Sequence, residues 1–139
     1  MTTAPKARIL IADDNPQILE LLEAYLEPLG VTVLTAMDGE KALQVTEDES
    51  PDLVLLDVMM PKHSGFEVCR QLKQNPRHRD RPIVMVTALN EVGDIERAKD
   101  CGADEFLTKP VNKIELLSCV TRLLRDRPQS GFRPDPPPA

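Results

Sequence analysis

The sequence predicts a doubly wound α/β fold, a five-stranded parallel sheet of strand order 2-1-3-4-5 with five helices. Apolar runs of strand length recur at Arg8 to Ala12, Val31 to Ala36, Leu53 to Leu56, Ile83 to Val86 and Glu105 to Thr108, with a helix-like segment after each. Such regular alternation implies βαβ units around a parallel sheet. The first, third and fourth runs are apolar throughout, as strands covered on both faces are, whereas Val31-Thr32-Val33-Leu34-Thr35 mixes in threonines as an edge strand does. Two of the runs also deliver carboxylates, Asp13 and Asp14 after the first and Asp57 after the third, to the strand ends beyond which open sheets bind ligands.

The helices follow from caps and periodicity. Asn15 is a good N-cap, Pro16 suits the first helical position, and Ile18, Leu22, Tyr25, Leu26 and Leu29 share one face at 3.6-residue spacing until Gly30 ends the helix. Asp38 can cap a second helix through Ala42 and Val45, and Ser64 a third through Phe66, Val68, Cys69 and Leu72. Asn90 can cap a fourth through Val92, Ile95 and Ala98, with a stop at Gly102. The fifth runs from about Lys113, where Leu116, Leu117, Val120, Leu123 and Leu124 form a wide apolar stripe.

A chain of 139 residues with 41% hydrophobic content builds one core, so residues 8–126 are expected to form a single domain. Residues 1–7 are then an N-terminal extension, and the proline-rich segment 127–139 is a disordered tail or a linker cut short. Lys and Arg number 17 against 23 Asp and Glu, and the basic residues are scattered, which argues against nucleic-acid contact by this domain. Cys69, Cys101 and Cys119 show neither a disulfide framework nor zinc spacing and read as small buried or half-buried thiols. No apolar stretch approaches the ~20 residues that span a bilayer, and Met1 to Lys6 has no signal-peptide segment, so the expected location is cytoplasmic, without membrane contact.

Strand ends supply several kinds of group to one rim: Asp13 and Asp14 from the first, Asp57 from the third, Thr87 from the fourth and Lys109 from the fifth. Neighbouring carboxylates raise one another's pKa unless a divalent ion balances them, and a hard, oxygen-rich site suits Mg²⁺. Lys109 adds a compact positive charge that can pair with an acid at rest and with a phosphoryl oxygen after reaction. Any one strand-end aspartate reads equally well as a cap or turn former; the convergence of five complementary polar groups is what points to chemistry.

These residues fall in ordered pieces: Ile11-Ala12-Asp13-Asp14-Asn15, Asp57-Val58-Met59-Met60-Pro61 with Gly65 behind it, Thr87-Ala88, Gly102-Ala103-Asp104 and Lys109-Pro110. Together they resemble the response-regulator receiver domain of two-component signalling, from Arg8 to Arg125, a flavodoxin-like fold. The resemblance implies a phosphoacceptor at Asp57, supplied by a histidine kinase or a phosphotransfer protein. It implies Mg²⁺ ligation by Asp13 or Asp14 with Asp57 and the backbone carbonyl of Met59, and phosphoryl contacts from Thr87 and Lys109. A carboxylate can attack phosphorus to give an acyl phosphate, and the rest of the site need only position and neutralise the transferred group.

Similarity to the family also implies a cis Lys109–Pro110 peptide, at the one kind of bond where cis is cheap, and a switch in which Thr87 and Phe106 move together. Phe106 stands where many relatives carry Tyr; having no hydroxyl to bond outside, it is expected to favour an inward rotamer, the alternative being that it is simply core. Output, or a homodimer, is expected through the face of the fourth helix, fifth strand and fifth helix.

Lys62, His63 and Ser64 depart from the family pattern, which bears on kinase docking; His63 reads as an exposed polar residue before it reads as a relay histidine. Met59 and Leu89 flank the site by resemblance and are apolar, so they orient a hydrolytic water poorly, and a long-lived phosphoryl state is expected. One competing reading is a Mg²⁺-dependent phosphohydrolase of the haloacid-dehalogenase kind, but those carry a second Asp two residues after the nucleophile, where this chain has Met59. The other is a receiver-like interaction module independent of phosphorylation, which the complete Asp/Asp/Asp/Thr/Lys set argues against.

Overall fold

A computed structural model of the chain describes residues 6–88, 96, 97 and 99–126. The strands are β1 (Arg8–Ala12), β2 (Thr32–Ala36), β3 (Leu53–Leu56), β4 (Ile83–Thr87) and β5 (Glu105–Thr108). They form one parallel sheet of order β2-β1-β3-β4-β5, as expected from the sequence. Val31 falls outside β2, which starts at Thr32, where the backbone N–H donates to the Ala7 carbonyl at 2.8 Å.

Among the described residues there are four α-helices: α1 (Pro16–Leu26, continued by a 3-10 turn at Glu27–Leu29), α2 (Gly39–Glu49), α3 (Gly65–Gln74) and a C-terminal helix (Lys113–Arg125). The expected fourth helix lies largely outside the described residues, but residues 96, 97, 99 and 100 are helical. Residues 1–5 of the expected N-terminal extension and the proline-rich segment 127–139 lie outside the described residues.

The caps work as their residue types require. The Asn15 side chain accepts from the Gln17 N–H at 2.9 Å, Asp38 from Lys41 at 2.7 Å and Ser64 from Glu67 at 3.2 Å. Asn112, which periodicity alone does not reveal, caps the C-terminal helix by accepting from Glu115 at 3.0 Å. Each such cap stabilises its helix by about 1 kcal/mol. Gly30 ends α1 with φ at +65°, a left-handed conformation glycine adopts without steric cost.

Alternation along the strands sorts the core into two layers. Ile9, Ile11, Leu53, Leu55, Val84 and Val86 pack with α1 and the C-terminal helix. Leu10, Val54, Leu56, Ile83 and Met85 pack with α2, α3 and Cys101 on the other face. Strands β1 and β3 contribute to both layers, so they are covered on two faces, and the polar groups that follow them are displaced to the carboxyl edge.

Candidate functional site

Asp13 is the first residue beyond β1, and its N–H continues the ladder by donating to the Ala36 carbonyl at 3.0 Å. Its carboxylate, almost wholly buried, accepts from the Asn15 N–H at 2.9 Å and from Lys109 Nζ at 2.7 Å. Asn15 thus adds to the cap that its sequence signals a second role that it does not disclose, fixing Asp13 with its backbone N–H. Asp57 follows β3 in the same way, with its N–H donated to the Ala12 carbonyl at 2.9 Å. Its Oδ2 stands 3.5 Å from Lys109 Nζ, while the buried Oδ1 has no hydrogen-bond partner among the described residues.

Asp14 is exposed, yet one carboxylate oxygen from each of Asp13, Asp14 and Asp57 can be chosen so that all three lie within 4.8 Å of one another. One ammonium against three carboxylates leaves the cluster short of positive charge. Burial, and after it the charge of Asp13, push the Asp57 carboxyl above its ordinary range, against the opposing pull of Lys109 and the Met59 backbone N–H. Burial alone would lower Lys109, but its hydrogen bond to Asp13 and the charges of both acids outweigh that and raise it. A buried oxygen with no hydrogen-bond partner among the described residues, on one of three neighbouring carboxylates, fits a small hard cation, which would supply the missing charge and take oxygen ligands.

The loop after Asp57 is held by close approaches. A Cβ on Gly65 would lie 2.2 Å from the Asp57 carbonyl oxygen, so only glycine lets α3 begin directly against the site. A Cβ on Gly39 would lie 2.2 Å from the His63 carbonyl oxygen, and the Gly39 N–H donates to the Pro61 carbonyl at 3.1 Å. Lys62 takes a left-handed backbone, φ +71°, and pairs with Glu40 at 3.3 Å, while His63 Nδ1 stands 3.1 Å from a Glu67 carboxylate oxygen. Of the residues that depart from the family pattern, Lys62 thus reaches the start of α2 and His63 lies against the start of α3. Met59 points into solvent at 65% exposure.

Thr87 closes β4 and its backbone pairs with Thr108, next to Lys109, so the sheet register carries Thr87 and Lys109 to one rim. The Lys109–Pro110 peptide is cis. Phe106 is half-buried against the layer containing Met85, its register partner on β4. Asp13, Asp14, Asp57 and Lys109 are thus brought together, with the backbone of Met59 beside them; Leu89 lies outside the described residues.

A 2-1-3-4-5 sheet whose carboxyl edge joins aspartates from β1 and β3 to a lysine beyond β5 defines the class of receiver domains. The chain belongs to the response regulator receiver domain family, whose model matches residues 9–121. It is 46% identical over 136 residues to the response regulator PleD of Caulobacter vibrioides, covering 91% of this chain and 30% of that protein. The signal receiver domain of a signal transduction histidine kinase from Syntrophus aciditrophicus superposes with a TM-score of 0.83 at 36% identity, covering 88% of this chain and 93% of that one. The receiver domain of a sensor histidine kinase from Pseudomonas aeruginosa, solved with a magnesium ion coordinated in its active-site cleft, gives a TM-score of 0.78 at 30% identity, over 85% and 97% of the two chains. The chain spans less than half the length of curated relatives such as PleD and the regulator RpaA of Synechocystis, 30% and 49% respectively.

Proposed function

We propose that this chain is a phosphorylation-switched receiver that takes a phosphoryl group onto Asp57 from a histidine kinase or a phosphotransfer protein. The observation that carries the proposal is the Asp57 carboxylate, whose Oδ1 is buried without a hydrogen-bond partner among the described residues, whose Oδ2 stands 3.5 Å from Lys109, and which groups with the other two acids. Asp13, Asp14, Asp57 and the Met59 carbonyl would hold Mg²⁺, which supplies the positive charge that lets a carboxylate approach a phosphoryl group. The magnesium in the cleft of the Pseudomonas relative supports this assignment.

The protein's own residues do the positioning. Asn15 and the β1 ladder fix Asp13; Gly65 keeps the start of α3 close against Asp57. Lys109, at 2.7 Å from Asp13 and 3.5 Å from Asp57, needs only a small movement to meet an oxygen carried on Asp57. The added negative charge is then read by Thr87, with Phe106 following, and passed to the face formed by the fourth helix, β5 and the C-terminal helix. Beside that face a groove of about 460 Å³ runs between β5 and the C-terminal helix, lined by Phe106, Leu107, Ser118 and Cys119 among others, and offers room for an output partner or a second copy.

The phosphohydrolase reading is disfavoured by Met59, an exposed thioether where that chemistry needs a second carboxylate. The test is the mass spectrum of the chain after incubation with acetyl phosphate and Mg²⁺, beside Asp57→Asn. One phosphoryl group gained by the wild type alone, and lost slowly when the donor is removed, is the expected outcome. No gain by a folded wild type would favour the phosphorylation-independent interaction module, and rapid loss would contradict the long-lived state.

A further inference from the structure

Cys69 and Cys101 lie 32 residues apart in sequence, yet the Cys69 thiol donates to the Cys101 carbonyl oxygen at 3.4 Å. Cys69 is on the buried face of α3, and Cys101 sits in the turn between the helical residues 96, 97, 99 and 100 and β5. The two thiols also contact one another directly, the juxtaposition that a disulfide needs. We propose that Cys69 and Cys101 form an oxidisable pair that a small hydroperoxide converts to a disulfide, fastening α3 to the approach of β5.

The two thiols are chemically unequal, as such a reaction requires. Besides the bond to the carbonyl, the two thiols contact each other, and that contact brings the Cys101 thiol down to about 7 while, with burial, it pushes Cys69 up. Although both sulfurs are buried, Asp100 and Gly102 on either side of Cys101 are exposed, and a hydroperoxide is close to water in size. Attack of the Cys101 thiolate on the peroxide oxygen gives a sulfenic acid and, with hydrogen peroxide, water. The Cys69 sulfur then attacks the sulfenic sulfur, forming the S–S bond and releasing a second water. In sum, two thiols and one hydrogen peroxide give one disulfide and two waters. Cys119, whose thiol burial pushes up to about 11, is an internal control in the same protein.

The experiment treats the folded full chain with dilute hydrogen peroxide, removes the peroxide, blocks residual thiols with iodoacetamide in denaturant and maps peptides without reduction. The expected result is a mass lower by two thiol hydrogens, a linked peptide joining Cys69 to Cys101, alkylation only at Cys119, and reversal by dithiothreitol. Cys119→Ser should leave the linkage intact, and Cys69→Ser should convert the product to a sulfenic or higher oxide on Cys101. A wild type in which Cys101 gains oxygen without a linked peptide, or in which all three thiols are still alkylated after peroxide treatment of the folded chain, would overturn the proposal.

Discussion

Asp57 is where the cost of the site is concentrated. Its carboxyl is raised by burial and by Asp13, so ionising it in the folded chain is harder than in the unfolded one. A raised folded pKa means that the native state binds the proton over the window above the unfolded value, so stability falls as pH rises through it. Asp57→Asn removes that penalty. In metal-free buffer the variant should melt at a higher temperature than wild type at neutral pH, with the gap closing as pH falls below the ordinary carboxylate range; calorimetry across pH 3 to 8, a span of roughly both sides of that range, reads it directly. An equal or lower midpoint at neutral pH would mean that the Lys109 contact outweighs burial.

Between elements, the tight tolerance is at Gly65, where α3 is set against the carbonyl of Asp57. Gly65→Ala must move either the helix start or the loop at Asp57, and forcing atoms into packed space costs about 1–3 kcal/mol. Urea unfolding should show that loss, and acetyl-phosphate labelling of the folded variant should slow; unchanged stability and labelling would show that the loop yields freely. This dependence is half legible in the sequence. The position of Gly65 behind the Met59-Met60-Pro61 run is visible, but the atom it must avoid is not. Gly39 against His63, the left-handed Lys62 and the pairing of Cys69 with Cys101 are likewise products of folding between distant segments. The strands, the caps at Asn15, Asp38 and Ser64, and the convergence of Asp13, Asp57 and Lys109 were readable, because short apolar runs, capping residues and strand-end placement are local properties of the chain. The Asn112 cap escaped because nothing in the apolar stripe distinguishes it from a loop asparagine.

At the scale of the whole molecule, the sheet order divides labour. β1 and β3 are the central acid-bearing strands, flanked by neighbours on both sides, whereas β5 is an edge strand that carries Phe106 and leads into Lys109. No helix among the described residues is long and apolar enough to cross a membrane. The backbone N–H groups of Asp13 and Asp57 are themselves rungs of the ladder, bonded to Ala36 and Ala12. In deuterated water these two amides should exchange as slowly as the innermost strand amides, through global opening alone, and acyl phosphate formation should leave their rates unchanged. If so, the receptor end of the device is clamped to the most persistent part of the protein, and whatever it communicates must leave through the looser margin at β5.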